Sequence, residues 1–211
     1  MKYLAIDTSG KNLTIVINDG KTELEFFDAD CGVQHSVSVM CEVENLVEKL
    51  NFDFNSVDFF VSVVGPGSFT GIRIGVATIK AFCLAHNKKA LSITSFDTLA
   101  YNISSGKRLA IIDAKHNCYY ICGYDGDRVV IPPTYATYQE VLNLSKEYTF
   151  CSFENINAFE NVKVVSVVEG LKKAIEAKKD NLICAGEIEP LYIRKSQAEE
   201  GRWLEKSIGK S

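Results

Sequence analysis

Two aspartates are the first candidates for chemistry. Asp7 ends the apolar run Tyr3-Leu4-Ala5-Ile6, and Asp113 ends Leu109-Ala110-Ile111-Ile112. A carboxylate in the turn after a buried strand can carry a magnesium-linked phosphate when a second such turn faces it across a cleft. Aspartate is also an ordinary turn residue, because its side chain bonds the backbone two residues on. A second anion-attracting feature is Gly65-Pro66-Gly67-Ser68-Phe69-Thr70-Gly71, a tight loop between an expected strand and an expected helix. Amide hydrogens and the helix dipole favour anions at such a place, which puts Gly67 and Ser68 beside Asp7, Thr8, Ser9 and Asp113 as a candidate nucleotide or phosphate set. The loop is not a Walker loop, since no Lys-Ser/Thr follows its last glycine, and three residues separate Gly67 from Gly71 where a dinucleotide loop needs two. It reads equally as a turn that lets a helix pack closely on its sheet.

The remaining inventory for catalysis is thin. His35, His86 and His116 form no pair at helical spacing, and no Gly-x-Ser-x-Gly elbow is present. No catalytic residue and no metal site are expected, and a metallopeptidase is the least favoured class. Seven cysteines (31, 41, 83, 118, 122, 151 and 184) make no Cys-x-x-Cys pair, so they read as reduced, mostly buried thiols. With 46% hydrophobic and 24% charged residues the composition is that of an ordinary globular protein. A net charge of -4 gives no general pull towards nucleic acid. The first apolar run is too short for a signal peptide and no run reaches membrane length, so a cytoplasmic chain with no membrane partner is expected.

The elements that must position the two aspartates come as a repeat. Residues 3–6, 13–17 and 22–27 read as three strands, with Asn18-Asp19-Gly20 as a hairpin signal. Residues 109–112, 119–122 and 128–131 repeat the pattern, and Asp7 to Asp19 is the same twelve-residue step as Asp113 to Asp125. Such a repeat suggests two related lobes, 1–103 and 104–211, with the tail from about 190 returning to the first. Within the first lobe the expected order is a helix over 36–50, a strand over 58–64, a helix from 68 or 71 to 86, a strand over 90–93 and a short helix from 96. The second lobe is expected to hold a helix at 138–145, a strand at 148–151 and a helix at 167–178. Meanders followed by alternating helices and strands imply an α/β chain in which each lobe has a mixed sheet covered by helices.

The helix ending at His86 carries Ile72, Ile74, Val76, Ile79, Phe82, Cys83 and Leu84, with Gly71, Gly75, Ala77, Ala81 and Ala85 between them. A helix apolar on all sides must be covered on all sides. Either this chain or a second polypeptide does so. The second alternative makes an interface of Val39, Met40, Val43, Leu46 and Val47 on one helix and Ile72, Gly75, Val76, Ile79 and Phe82 on the other.

Three segments carry a resemblance. Leu4-Ala5-Ile6-Asp7-Thr8-Ser9, the run from Gly65 to Ala77, and Pro190-Leu191-Tyr192-Ile193-Arg194-Lys195-Ser196-Gln197-Ala198-Glu199 are similar to the TsaB (YeaZ) family. The resemblance spans essentially the whole chain and is weakest between about 135 and 187. It implies the duplicated actin-like, Hsp70-like, sugar-kinase-like fold. It further implies a non-catalytic partner subunit in the bacterial machinery that makes N6-threonylcarbamoyladenosine at position 37 of tRNAs reading ANN codons. In that machinery the subunit pairs with the catalytic paralogue TsaD through a helical bundle, is joined by the ATPase TsaE, and meets tRNA through the complex. The same surface could make a homodimer, and ATP or ADP at the complex interface is not a requirement of this chain. The stretch corresponding to the metal-binding helix of TsaD, Ile93-Thr94-Ser95-Phe96-Asp97-Thr98-Leu99-Ala100, holds no histidine. One departure is the run Ala114-Lys115-His116-Asn117-Cys118-Tyr119-Tyr120, where the family often carries Ala-Arg-Arg-Gly-Glu-Val-Tyr. The alternative class is an ATPase of the actin-like fold using Asp7 and Asp113.

Overall fold

The computed structural model describes residues 1–31 and 35–194. Strands β1 (Lys2–Asp7), β2 (Leu13–Asp19) and β3 (Glu23–Asp28) form an antiparallel meander. Helix α1 (His35–Leu50), strand β4 (Phe59–Val63), helix α2 (Phe69–His86), strand β5 (Lys89–Ile93) and helix α3 (Ser95–Ala100) come next. The second half opens with another antiparallel meander, β6 (Lys107–Asp113), β7 (Cys118–Asp125) and β8 (Arg128–Thr137). Helix α4 (Tyr138–Asn143), strands β9 (Thr149–Ser152) and β10 (Lys163–Val164) and helix α5 (Val167–Lys178) complete it.

Each meander is extended in the same way. β4 pairs parallel to β1 and β5 parallel to β4, giving a first sheet of order β3-β2-β1-β4-β5. β9 pairs parallel to β6 and β10 parallel to β9, giving a second of order β8-β7-β6-β9-β10. The repeat legible in the aspartate spacing is therefore a repeat of strand order, as the expected duplicated architecture requires.

The sheets are layered with helices by the alternation of their strands. In the first sheet Leu4, Ile6, Ile15, Ile17 and Phe60 point to one side, where Val39, Val43 and Val76 of α1 and α2 cover them. Tyr3, Ala5, Val16, Phe59 and Val61 point to the other, where Leu171, Ala174 and Ile175 of α5 cover them. Burial on both faces explains why β1 and β4 are apolar without alternation. The second sheet turns Ala110, Cys122, Tyr124 and Cys151 towards Phe96, Leu99 and Ala100 of α3. Its far face packs Leu109, Ile111 and Ile121 on Val141 of α4 and on Phe159. The central helices are thus exchanged: α3, from the first half, covers the second sheet, and α5, from the second half, covers the first.

The exchange is fastened by polar contacts. The Asp97 carboxylate is 1% exposed and lies 2.6 Å from the Lys178 ammonium. It also accepts the Tyr124 hydroxyl at 3.0 Å and both the amide and the hydroxyl of Thr94. Burial, followed by the nearby Asp97 charge, drives the Tyr124 phenol far above its ordinary range. A Cβ at Gly170 would lie 1.9 Å from the Thr98 carbonyl oxygen, so only glycine permits this approach of α5 to α3.

Several expectations shift. β8 runs on through Pro132-Pro133 to Thr137, beyond the expected end at 131. It is an edge strand, where a missing amide hydrogen costs no ladder bond. α4 stops at Asn143, two residues before the expected end. β10, two residues long, is too short to give a sequence signal. α1 begins at His35, one residue before the expected start. Of the cysteines, Cys31, Cys83, Cys122 and Cys151 are buried, while Cys41 and Cys184 are exposed.

Candidate functional site

The glycine loop closes on the turn after β1. Ser68 caps α2, its hydroxyl accepting the Gly71 amide at 3.2 Å. The Ser68 amide donates to the Ser9 carbonyl at 2.7 Å, and the Thr8 hydroxyl donates to the Gly71 carbonyl at 2.6 Å. A Cβ at Gly67 would lie 2.1 Å from Ser9 O, and one at Gly71 would lie 2.0 Å from Thr8 O. These glycines are used for close approach of backbone to backbone.

Asp7, Thr8 and Ser9 are correspondingly buried. Asp7 Oδ1 accepts the Ser9 amide at 2.8 Å and the Ser9 hydroxyl at 2.7 Å. The Ser9 hydroxyl in turn lies 3.0 Å from that of Ser95 at the start of α3. The structure therefore brings Asp7, Thr8, Ser9, Gly67 and Ser68 together where β1, α2 and α3 meet, with the first three buried and Gly67 and Ser68 exposed.

Asp113 is placed differently. Its side chain is 45% exposed and ion-paired with Lys115 at 2.8 Å, and the Lys115 amide also bonds it at 2.8 Å. Partial burial would raise the carboxyl, but the Lys115 ammonium and amide outweigh it and hold the group below the usual carboxylate range. Lys115, His116 and Asn117 follow with φ of 67°, 55° and 58°, three consecutive side-chain-bearing residues in the left-handed region. Asp7 and Asp113, matched in sequence, are thus one sealed and one open carboxylate. Two surface hollows of about 640 and 550 Å³ flank β9 and β10, and neither is lined by either aspartate. Among the described residues no group of three His, Cys, Asp or Glu side chains is placed to hold a metal ion.

The expected interface residues divide sharply. Val39, Val43, Leu46, Ile72, Gly75, Val76 and Ile79 are buried in this chain's own core, and only Met40, at 43%, is well exposed. Val47 and Phe82 are half-buried, Phe82 stacking on Phe54 and Phe60. The most apolar positions of each helix are those facing the sheet, where this chain itself covers them. The exposed stripe of α2 is Thr70, Arg73, Ala77, Ala81, Leu84 and Ala85, with Leu84 at 75%. The helix accordingly has a polar component, at Thr70, Arg73 and Lys80, that the all-apolar reading overlooked. Ala77, Ala81 and Leu84, which lie outside that expected set, are three or four apart on one exposed face.

With this geometry established, comparison with known proteins decides the family. The family model described as "TsaD: tRNA N6-adenosine threonylcarbamoyltransferase" matches residues 29–186. The chain belongs to this family. Its relatives there include the tRNA threonylcarbamoyladenosine biosynthesis protein TsaB of Bacillus subtilis, 32% identical over 102 residues that cover 48% of this chain and 44% of that one. The protein of the same name from Escherichia coli is 26% identical over 132 residues, covering 60% and 56%. The chain spans about half the length of these curated relatives. A solved structure from Pseudomonas aeruginosa, an uncharacterized protein with similarity to peptidase YEAZ, superposes with a TM-score of 0.78 at 17% identity, covering 92% of this chain and 99% of that one. That likeness establishes a shared fold, in agreement with the repeated strand order. α3 is buried at all six positions. No helix among the described residues is long and apolar enough to cross a membrane.

Proposed function

We propose that this chain is a non-catalytic partner subunit of the machinery that installs N6-threonylcarbamoyladenosine at position 37 of tRNAs reading ANN codons. In this reading it works in the cytoplasm and pairs with TsaD through the outer faces of α1 and α2. TsaE joins the pair, tRNA is met through the complex, and a homodimer forms over the same face when TsaD is absent. In the same reading the lobe of residues 1–103 carries the pairing face and the second lobe begins at 104. The observation that carries the proposal is the stripe of Ala77, Ala81, Leu84 and Ala85 left uncovered on a helix whose other side is sealed, with Met40 exposed on the neighbouring helix. Small residues bordered by a large apolar one let a second helix approach closely, as helix packing requires. Family membership supports the pathway, and the exposed face supports the role of a binding subunit.

The ATPase alternative is weaker on physical grounds. Asp7 is buried and hydrogen-bonded to Ser9, and the loop that would cradle phosphate is packed on the Ser9 carbonyl. The test is to mix the chain with TsaD and weigh the complex by light scattering. Leu84→Asp and Met40→Asp together should abolish pairing while leaving the fold intact, because both side chains lie outside the core. Wild-type affinity in the doubly charged variant would refute the pairing face. Val76→Asp is expected to unfold the chain, so it cannot serve as the test.

A further inference from the structure

Two of the three segments that carry the family resemblance touch each other, although 119 residues separate them in sequence. Arg73, on the exposed stripe of α2, donates from Nε to the Tyr192 hydroxyl at 3.0 Å. Its guanidinium carbon lies 3.9 Å from the centre of the Phe69 ring, and Phe69 and Tyr192 stack with centres 4.7 Å apart. Tyr192 belongs to a strap that crosses from one sheet to the other. The Leu191 amide donates to the Val64 carbonyl at 2.7 Å, and Arg194 donates to the Tyr135 hydroxyl of β8 at 3.1 Å.

The guanidinium of Arg73 is therefore fixed at one nitrogen and on one ring face, yet the residue is exposed and forms no ion pair among the described residues. A guanidinium held in this way keeps its terminal N–H groups in a planar fork that matches a carboxylate, with little rotamer entropy left to lose. Arginine in such a setting is a recurrent anchor of protein interfaces. It also stands one helical turn from Ala77, on the same stripe as Ala81 and Leu84.

Resting on the pairing proposed above, we infer that Arg73 is the charged anchor of the α1–α2 face. It receives a carboxylate from the partner protein, and the strap through Tyr192 is the positioning element that aims it. A protein carboxylate is favoured over an RNA phosphate because the fork sits in line with an apolar, small-residue stripe suited to a helix. The partner helix must then carry an acidic residue about one turn beyond its contact with Ala77.

The test is titration of full-length chain with TsaD by calorimetry at two salt concentrations, for Arg73→Glu, Arg73→Lys, Tyr192→Phe and Leu84→Asp, each checked for an unchanged melting temperature. Arg73→Glu should weaken pairing ~100-fold and Arg73→Lys ~10-fold, since lysine keeps the charge but loses the fork. Tyr192→Phe keeps the ring, loses the aiming bond, and should weaken pairing ~3-fold, on the order of one neutral hydrogen bond. The salt dependence should fall in Arg73→Glu. Wild-type pairing by Arg73→Glu, with Leu84→Asp still disruptive, overturns the anchor and leaves the face. Loss of tRNA retention by the assembled complex, with pairing unchanged, also overturns it and reassigns the fork to phosphate. If Leu84→Asp pairs normally, the face itself fails.

Discussion

The two aspartate turns began as matched positions and ended in opposite environments. Asp7 is closed over by the Gly65–Gly71 loop and the start of α2, and Asp113 stands open beside Lys115. The difference lies in the segment after the fourth strand of each half. After β4 comes α2, eighteen residues long. At the corresponding place after β9 the described chain has no helix, and residues 153–162 run to the two-residue β10. One half therefore has a long helix to plug its turn and to offer an outer face, and the other has neither. The strand order is common to both halves, while the segments that follow the fourth strand of each differ.

The contrast can be broken from its sealed side first. Asp97→Ala removes the buried partner of Lys178 and should cost about 4 kcal/mol in denaturant unfolding, as truncating one member of a buried ion pair does. Lys115→Ala, which breaks the exposed pair of the other turn, should cost less than about 0.5 kcal/mol. Gly71→Ala drives a Cβ against the Thr8 carbonyl and should cost about 3 kcal/mol. A cost near zero would mean that the turn after β1 is more open than its burial indicates. At the open turn the sign should reverse: His116→Gly relieves a left-handed backbone and should leave stability equal or about 0.5 kcal/mol higher.

The smallest effect is in pH. Asp113 is held below its ordinary value of 3.8, so its contribution is present above that value and is lost as pH falls through the lower folded value. Wild type should be slightly the more stable of wild type and Asp113→Asn at neutral pH, and the difference should vanish as pH falls below 3.8. A wild type less stable than Asp113→Asn at neutral pH would show that the carboxyl is raised.

Much of the fold was legible in the residues. The twelve-residue aspartate step announced the repeated meander, and the hairpin signal Asn18-Asp19-Gly20 marks the turn from β2 into β3. The helical span of α2 was also legible, within a residue or so. What was hidden was direction. The apolar content of α2 could not say which side meets the sheet, because Val76 and Leu84 are equally greasy in sequence and differ from 5% to 75% in exposure. Likewise an aspartate in a turn looks the same whether a loop from sixty residues away closes over it or not. The exchange of α3 and α5 between sheets left no periodic trace either, since each helix is apolar towards whichever sheet it meets.

The central claim is that the outer face of α2 is a surface another protein covers. A Leu84→Cys variant, alkylated under native conditions and read by peptide mass, tests it at the most exposed apolar side chain of that helix. Labelling at position 84 should slow at least ~10-fold when TsaD is added in excess, as expected for a side chain buried at the centre of an interface. An unchanged rate in a mixture shown by light scattering to contain the complex would place the partner elsewhere and contradict the claim.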